Sequence, residues 1–339
     1  MAQQALVTVL NQIYEVDFKG FSYGFRPGRS AHDALDALSV GLTRRPIQWV
    51  LDADIQSFFD TIDHHWMLRF LEHRIADPRV LRLIRKWLRA GVSDDGTWLP
   101  TTQGTPQGAV LSPLLANIYL HYVFDLWIDW WRRQNARGAV VVVRYADDFV
   151  IGFQHEQDAR HCLAALQERF ARFALTLHPE KTRLIEFGSL AALRRQQRGE
   201  HKPESFDFLG FTHSCSQTRD GRYSVRRKTM AKRMRAKLAS LKAHLFHHRC
   251  VPIPVQGAWL KQVVQGWYNY YAVPNNIVAL SRFRRWLSYI WWKTLRRRSQ
   301  TAARTLWWAR MTRITDRWLP KPKITHPWPH ARFAVTHPR

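Results

Sequence analysis

An α+β fold follows from three features of the sequence. They are a hairpin with acids at its tip, a second acidic strand upstream of it, and amphipathic helices after residue 228. Runs of β-branched and aromatic residues read as strands, and two such runs, 139–143 and 149–153, bracket Tyr145-Ala146-Asp147-Asp148. Residues 49–55 form a similar run that carries Asp52 and Asp54. Helical stretches alternate with these strands, so the expected core is an antiparallel sheet backed by helices.

Taken in order, residues 1–47 read as a helix, a turn and a second helix over 31–42. The turn, Gly24-Phe25-Arg26-Pro27-Gly28-Arg29-Ser30, places the guanidiniums of Arg26 and Arg29 in a rigid frame suited to forked contacts with a triphosphate. After the first acidic strand comes a loop, Thr102-Gln103-Gly104-Thr105-Pro106-Gln107-Gly108. Its glycines permit a close backbone approach, and glutamines such as Gln107 supply amide donors and acceptors. A helix from Leu114 to about Trp131 is expected to present that loop, Gly108 included, to a nucleotide. The hairpin follows, then a helix over 155–173, a polar exposed loop over 194–202, and a strand at 206–208 ending in a Leu209-Gly210 turn.

From 228 to 249 the apolar residues Met230, Met234, Leu238, Leu241 and Leu245 recur at helical spacing, with Lys232, Arg233, Arg235, Lys237 and Lys242 on other faces. A second helix is expected from Pro254 through Trp259 to Tyr271, and a third from about Val278 to Arg298. Beyond it the chain is rich in Arg, Trp and Pro.

Adjacent aspartates at a tight turn repel each other, a cost that a fold tolerates when the charge is needed, most often to hold Mg²⁺ through oxygen ligands. Asp is also common in ordinary turns, and the tetrapeptide alone supports both readings equally. The second acidic strand decides between them. Two-metal phosphoryl chemistry needs carboxylates from separate strands converging on ions about 3.5–4 Å apart. Asp52 and Asp54 lie on one strand face because side chains alternate, so spacing alone does not choose between them.

Composition narrows the class further. The 339 residues are 46% hydrophobic, enough for a substantial core, and no stretch reaches membrane-helix length. Three widely spaced cysteines, Cys162, Cys215 and Cys250, argue against a disulfide framework or a Cys-x-x-Cys zinc module and suit the cytoplasm. The net charge of +26 is uneven: residues 1–200 hold 24 Lys/Arg against 22 Asp/Glu, and residues 201–339 hold 28 against 4. The second region also holds nine of the 16 tryptophans, which separates it from a disordered basic tail. Cations interleaved with aromatics read as a folded surface that tracks phosphates and stacks bases.

The segments 25–35 (FRPGRSAHDAL), 52–64 (DADIQSFFDTIDH), 102–120 (TQGTPQGAVLSPLLANIYL), 144–153 (RYADDFVIGF), 177–188 (LHPEKTRLIEFG) and 206–213 (FDFLGFTH) together resemble the reverse transcriptase–maturases of bacterial group II introns. The resemblance implies a right-hand polymerase palm. It makes Asp54, Asp147 and Asp148 the catalytic residues and Mg²⁺ ligands, with the Ile55 carbonyl as a fourth ligand. Phe59 falls where the family keeps a bulky aromatic beneath the sugar, a ring that would clash with a 2′-hydroxyl and so select deoxynucleotides. One of Phe58 and Phe59 is expected in the core. RNA-dependent RNA polymerases share the Asp-Asp hairpin but usually carry Gly in place of Ala146, so Ala146 with Phe59 favours DNA synthesis. Trp267 and Tyr268, in Trp267-Tyr268-Asn269-Tyr270-Tyr271, resemble the maturase motif that contacts intron RNA.

The implied partners are group II intron RNA, target DNA and deoxynucleoside triphosphates, with no membrane. The implied domains are partial fingers (1–47), palm (48–213), a helical thumb/maturase region (214–300) and a basic DNA-binding-like tail (301–339). Relatives begin upstream with a further fingers segment, and many end in a His-Asn-His endonuclease, so a truncated N-terminus and no endonuclease are expected here. Two other readings compete. A non-catalytic RNA-binding splicing factor is opposed by the intact aspartates, and a retron- or defence-type enzyme by the tryptophan-rich region after Pro254.

Overall fold

Two helices open the chain, α1 (Ala2–Tyr14) and α2 (Ala31–Arg44). α2 starts where it does because Ser30 and Asp33 form a reciprocal capping box, satisfying two otherwise orphaned N–H groups. The computed structural model describes every residue except 91, 95, 96, 100–102, 106–108 and 337–339. It divides into two units, the first comprising Met1–Ser205, Cys215–Ser224 and Phe333–Arg339, the second Phe206–Ser214 and Val225–Arg332.

In the first unit, β1 (Trp49–Ala53) leads into the single turn α3 (Phe58–Thr61), then α4 (His64–Glu72) and α5 (Pro78–Leu88). Asp63 and Asp77 cap α4 and α5 through their side chains. A small hairpin, β2 (Val92–Asp94) with β3 (Thr97–Leu99), precedes α6 (Ser112–Leu120). One continuous helix was expected here. Instead a π-helical turn, His121–Asp125, separates α6 from α7 (Leu126–Gln134). The carbonyls of Tyr122 and Val123 accept hydrogen bonds from the Arg169 guanidinium, both at 3.1 Å. π-turns recur at functional sites, and this one sets a buried aspartate described below.

β4 (Val140–Tyr145), β5 (Asp148–Phe153), α8 (Glu156–Ala171), β6 (Arg183–Glu186) and α9 (Ala191–Gln197) follow. The sheet runs β4-β5-β1-β6, with every neighbouring pair antiparallel. α2 packs on β4 and β5, and α8 packs on β1 and β5. The core beneath includes Leu51, Phe58, Tyr119, Phe124, Phe149 and Phe170. α9 corrects the loop expected over 194–202 at residues 194–197, and 198–202 form the exposed turn that follows. Arg194 and Arg198 bind the buried Glu186, and Arg195 binds Glu200 and Glu204, so ion pairs hold a helix that lacks a long apolar face.

β7 (Ser205–Phe208), β8 (Phe211–Gln217) and β9 (Tyr223–Thr229) form a three-stranded sheet in that order. The second unit continues with α10 (Ala231–His247), α11 (Ile253–Tyr271), α12 (Ile277–Arg296), α13 (Gln300–Thr305), α14 (Trp308–Trp318) and α15 (Pro329–Thr336). The three long helices fall within a few residues of expectation, although Lys228 belongs to β9 rather than to the helix. Residues 301–332 fall within the second unit. Arg284 of α12 binds Asp316 of α14 at 2.8 Å and also donates to the Thr315 and Leu319 carbonyls. No helix among the described residues is long and apolar enough to cross a membrane.

Candidate active site

Strand register assembles the acids. Tyr145 pairs with Asp148, leaving Ala146-Asp147 as a two-residue turn, and Ala146 takes the left-handed φ of 55°. β5 also pairs with β1, Asp52 lying opposite Val150 and Ala53 opposite Phe149. The hairpin tip therefore emerges beside the end of β1, where Asp54 stands. Desolvation raises the Asp147 carboxyl above the usual carboxylate range, and the charge of Asp54 raises it further. Desolvation, then the charges of Asp147, Asp54 and Asp52, push the Asp148 carboxyl up to about 6. The charge of Asp54 raises both hairpin acids, and that of Asp52 also raises Asp148.

A neighbouring segment answers these charges. Gln56 N–H donates to the Thr176 carbonyl, His178 N–H donates to the Asp54 carbonyl, and Asp52 pairs in register with Arg183. Two acids spaced by two on β1 therefore meet two cations spaced by two on the adjoining segment. Lys181 Nζ lies 2.6 Å from Asp54 Oδ2, and an Arg183 nitrogen lies 3.6 Å from Asp52 Oδ2. No three His, Cys, Asp or Glu side chains reach metal-ligand spacing among the described residues. The donor set itself suits a hard divalent cation: oxygen ligands whose mutual repulsion a cation would relieve.

The turn is held from beneath by a buried guanidinium. Arg144 and Asp125 are both fully buried and joined by two hydrogen bonds, of 2.7 and 2.6 Å. Arg144 also donates to the Ala146 carbonyl at 2.9 Å, to Asn117 Oδ1 at 3.0 Å and to Ser22 Oγ at 2.7 Å. The π-turn supplies Asp125. Asn117 Nδ2 in turn donates to the Gly24 carbonyl at 2.7 Å. Residues 21–23 pair with Arg144 through the backbone as a short parallel bridge. A Cβ at Gly24 would overlap the Ala146 nitrogen, so only glycine fits there. Sequence reasoning missed this hub, although an arginine between apolar runs was a signal for it. It also missed Lys181, whose spacing from Arg183 matches that of Asp54 from Asp52.

The remaining candidates divide. Arg26 is buried, with Nε and Nη2 on Glu15 and Nη1 on the Lys19 and Ser22 carbonyls. Its donors hold the turn rather than standing as a phosphate fork. Arg29 lies over the Tyr23 ring. Phe58 is core, and Phe59 is half-buried edge-on to it. Ile55 is buried just beyond β1, bridged to Leu177. Gln107 and Gly108 lie outside the described residues. The start of their loop sits on the Phe59 turn: Thr105 N–H donates to the Phe59 carbonyl and Gly104 N–H to the Ile62 carbonyl, each at 2.7 Å. Gly104 has φ +85°, and a Cβ there would lie 2.9 Å from the Phe59 and Asp60 oxygens.

In the second unit, Lys232, Arg233 and Arg235 are exposed on α10 and Lys237 is half-buried. Tyr268 is buried, and Trp267 stacks on Phe283 at 4.8 Å. Tyr270 Oη donates to the Leu209 carbonyl at 2.8 Å, and Phe211 packs on Tyr270 and Tyr271. Tyr268 is thus committed to the core, while Trp267 is half-buried, and the aromatic motif braces the helices and the 209–210 turn.

Residues 1–213 match the family described as reverse transcriptase (RNA-dependent DNA polymerase). Protein YkfC of Escherichia coli (strain K12) is 31% identical over 284 residues, covering 74% of this chain and 69% of its own. The group II intron-encoded protein LtrA of Lactococcus lactis subsp. cremoris is 42% identical over 123 residues, covering 36% of this chain and 20% of its own. An uncharacterized 91 kDa protein in a cob intron of Schizosaccharomyces pombe is 42% identical over 121 residues, 36% of this chain and 15% of its own. The chain thus spans about two thirds of the first relative and a fifth or less of the two intron proteins. Apo telomerase from Candida tropicalis aligns at TM-score 0.49 and 11% identity, over 99% of this chain and 53% of its own, and adds nothing to the assignment.

Proposed function

This chain belongs to the reverse transcriptase (RNA-dependent DNA polymerase) family, and we propose that it copies group II intron RNA into DNA and binds that RNA in support of splicing. The observation that carries the reading is the placement of the Asp147-Asp148 turn beside the end of β1, where the charge of Asp54 raises both hairpin carboxyls. The first unit then acts as partial fingers and palm, and the basic helices of the second as thumb and maturase region, with target DNA as a further partner.

The family generally uses a divalent metal. Mg²⁺ is the ion proposed here, held by Asp54, Asp147 and Asp148 with the Ile55 carbonyl. Bound there, it would activate the attacking 3′-hydroxyl and neutralise charge on the leaving pyrophosphate. The chain's own part is positional. Asp54, now paired with Lys181, would hold the cation, and Arg144 holds the turn through the Ala146 carbonyl. Phe59, seated against Phe58 with its carbonyl held by Thr105, excludes a 2′-hydroxyl by bulk, so deoxynucleoside triphosphates are the substrates.

The test is primer extension on an RNA template with Mg²⁺. Asp147→Asn removes one charged ligand and is expected to slow extension by several kcal/mol, about a thousandfold. RNA affinity is expected to stay at the wild-type value. Undiminished extension would rule out the site, and RNA binding without extension in the wild type would favour the splicing-factor reading.

A further inference from the structure

α12 has two faces, and only one is explained by packing. Leu280, Phe283, Leu287, Trp291 and Leu295 are buried, and Trp291 donates its indole N–H to Gln256 at 2.7 Å. The other face carries a contiguous row of rings that the core does not use. Trp286 and Tyr289 have centroids 6.1 Å apart, Tyr289 and Trp292 5.9 Å, and Trp292 and Trp308 of α14 5.5 Å. Trp286 is 49% and Trp308 43% exposed, and Tyr289 and Trp292 are half-buried.

Cations are set among these rings. Lys293 Nζ lies 4.7 Å from the Tyr289 ring centre, and the Arg296 guanidinium 4.8 Å from that of Trp292. The row is braced from within: Trp292 Nε1 donates to the Leu306 carbonyl at 2.9 Å, and Arg296 donates twice to the Ala303 carbonyl. α12 contains no acid, and Asp316 on α14 is bound to Arg284. Singly exposed rings are ordinary, but a braced row of four with interleaved cations and no acid matches a polyanion that also offers flat apolar faces. Duplexes hide their base faces, whereas unpaired strands expose them. The apolar face of α12 is already buried in the unit, which leaves it none to insert into a lipid surface.

We propose that the row Trp286–Tyr289–Trp292–Trp308 binds an unpaired nucleic-acid strand, its bases on the rings and its phosphates at Lys293 and Arg296. This deepens the proposed RNA-handling role by naming the surface and the strand state, and it does not depend on polymerase activity.

The test uses the full chain and a fluorescent strand of about 12 uridines, within the usual site range, against an RNA duplex of the same length. The triple variant Trp286→Ala, Tyr289→Ala, Trp308→Ala is expected to weaken single-strand binding tenfold or more. Duplex affinity and the single-strand salt slope should not change. The ring-preserving set Trp286→Phe, Tyr289→Phe, Trp308→Phe should restore most of the affinity, which separates lost stacking from lost folding. Lys293→Gln with Arg296→Gln should lower the salt slope by about two contacts. Equal loss on single strand and duplex, or no loss on the single strand, overturns the proposal. So does row-dependent binding to phosphatidylserine vesicles with single-strand binding unaffected. Row-dependent strand binding in a wild-type protein that fails to extend a pre-annealed primer would sustain this proposal while the polymerase reading fails.

Discussion

Arg144 in the first unit is fully buried against Asp125, while Lys232, Arg233 and Arg235 in the second stand exposed on a helix with no acid. The same kind of charge does two different jobs. In the first unit many basic groups are paired with acids: Arg144 with Asp125, Lys181 with Asp54, Lys19 and Arg132 with Asp129, Arg198 with Glu186. In the second, 24 lysines and arginines meet two acids, Asp207 and Asp316. Paired charge fixes backbone position, because a buried guanidinium with several donors accepts only one arrangement of partners. Unpaired charge on a surface builds a field that a polyanion neutralises. One unit thus uses electrostatics to fix the backbone around its acidic turn, and the other leaves its positive charge outward, where a polyanion would neutralise it.

The largest expected break in this contrast comes from Arg144→Met. It leaves Asp125 buried without its partner, and losing one member of a buried pair costs about 3–5 kcal/mol. Adding Asp125→Leu should recover part of that loss in urea unfolding. If the double variant is no more stable than the single one, the pair does not carry the hub. Neutralising Lys232, Arg233, Arg235 and Lys237 together to Gln addresses the other side of the comparison. A filter-binding salt titration should show a log–log slope shallower by about three to four, since each lost phosphate contact removes close to one released counterion. An unchanged slope would move the nucleic-acid surface away from α10.

The last prediction concerns a titratable group that the second unit buries as a neutral side chain, whose effect vanishes at neutral pH. His213 stacks on Phe206 at 4.9 Å, and burial, then the charge of Arg227, depresses it to about 3. The unfolded chain binds this proton near pH 6.5 and the folded chain does not, so stability is complete above that value and falls as pH drops towards 3. His213→Phe should flatten the dependence of unfolding free energy on pH within that window. A slope that survives the substitution would place the responsible proton elsewhere.

The acids were legible because a hairpin is local: two apolar runs and a tight turn specify both the strands and the tip that presents Asp147 and Asp148. The choice between Asp54 and Asp52 was not, since both share a strand face. The family resemblance chose Asp54, and in the fold the charge of Asp54 raises both hairpin acids. Arg26 looked like a free phosphate fork, but its partner Glu15 lies on the preceding segment and claims it. Trp267 and Tyr268 looked like surface contacts, and the row on α12 went unseen, because burial depends on which faces of α11 and α12 meet.

The sequence by itself determined the acidic hairpin, the acidic strand upstream of it, the three long basic helices and the concentration of positive charge in the last two-fifths of the chain. Each is encoded by periodicity, by short motifs or by composition, and none needs a distant partner to be read. Tertiary structure alone decided which cations are consumed and which stay outward, that a π-turn delivers Asp125 under the Asp147-Asp148 turn, and that Lys181 meets Asp54. Those outcomes depend on side chains far apart in the chain coming within hydrogen-bond distance. Whether such a group is buried and paired or exposed and free is set by packing, which residue order does not display.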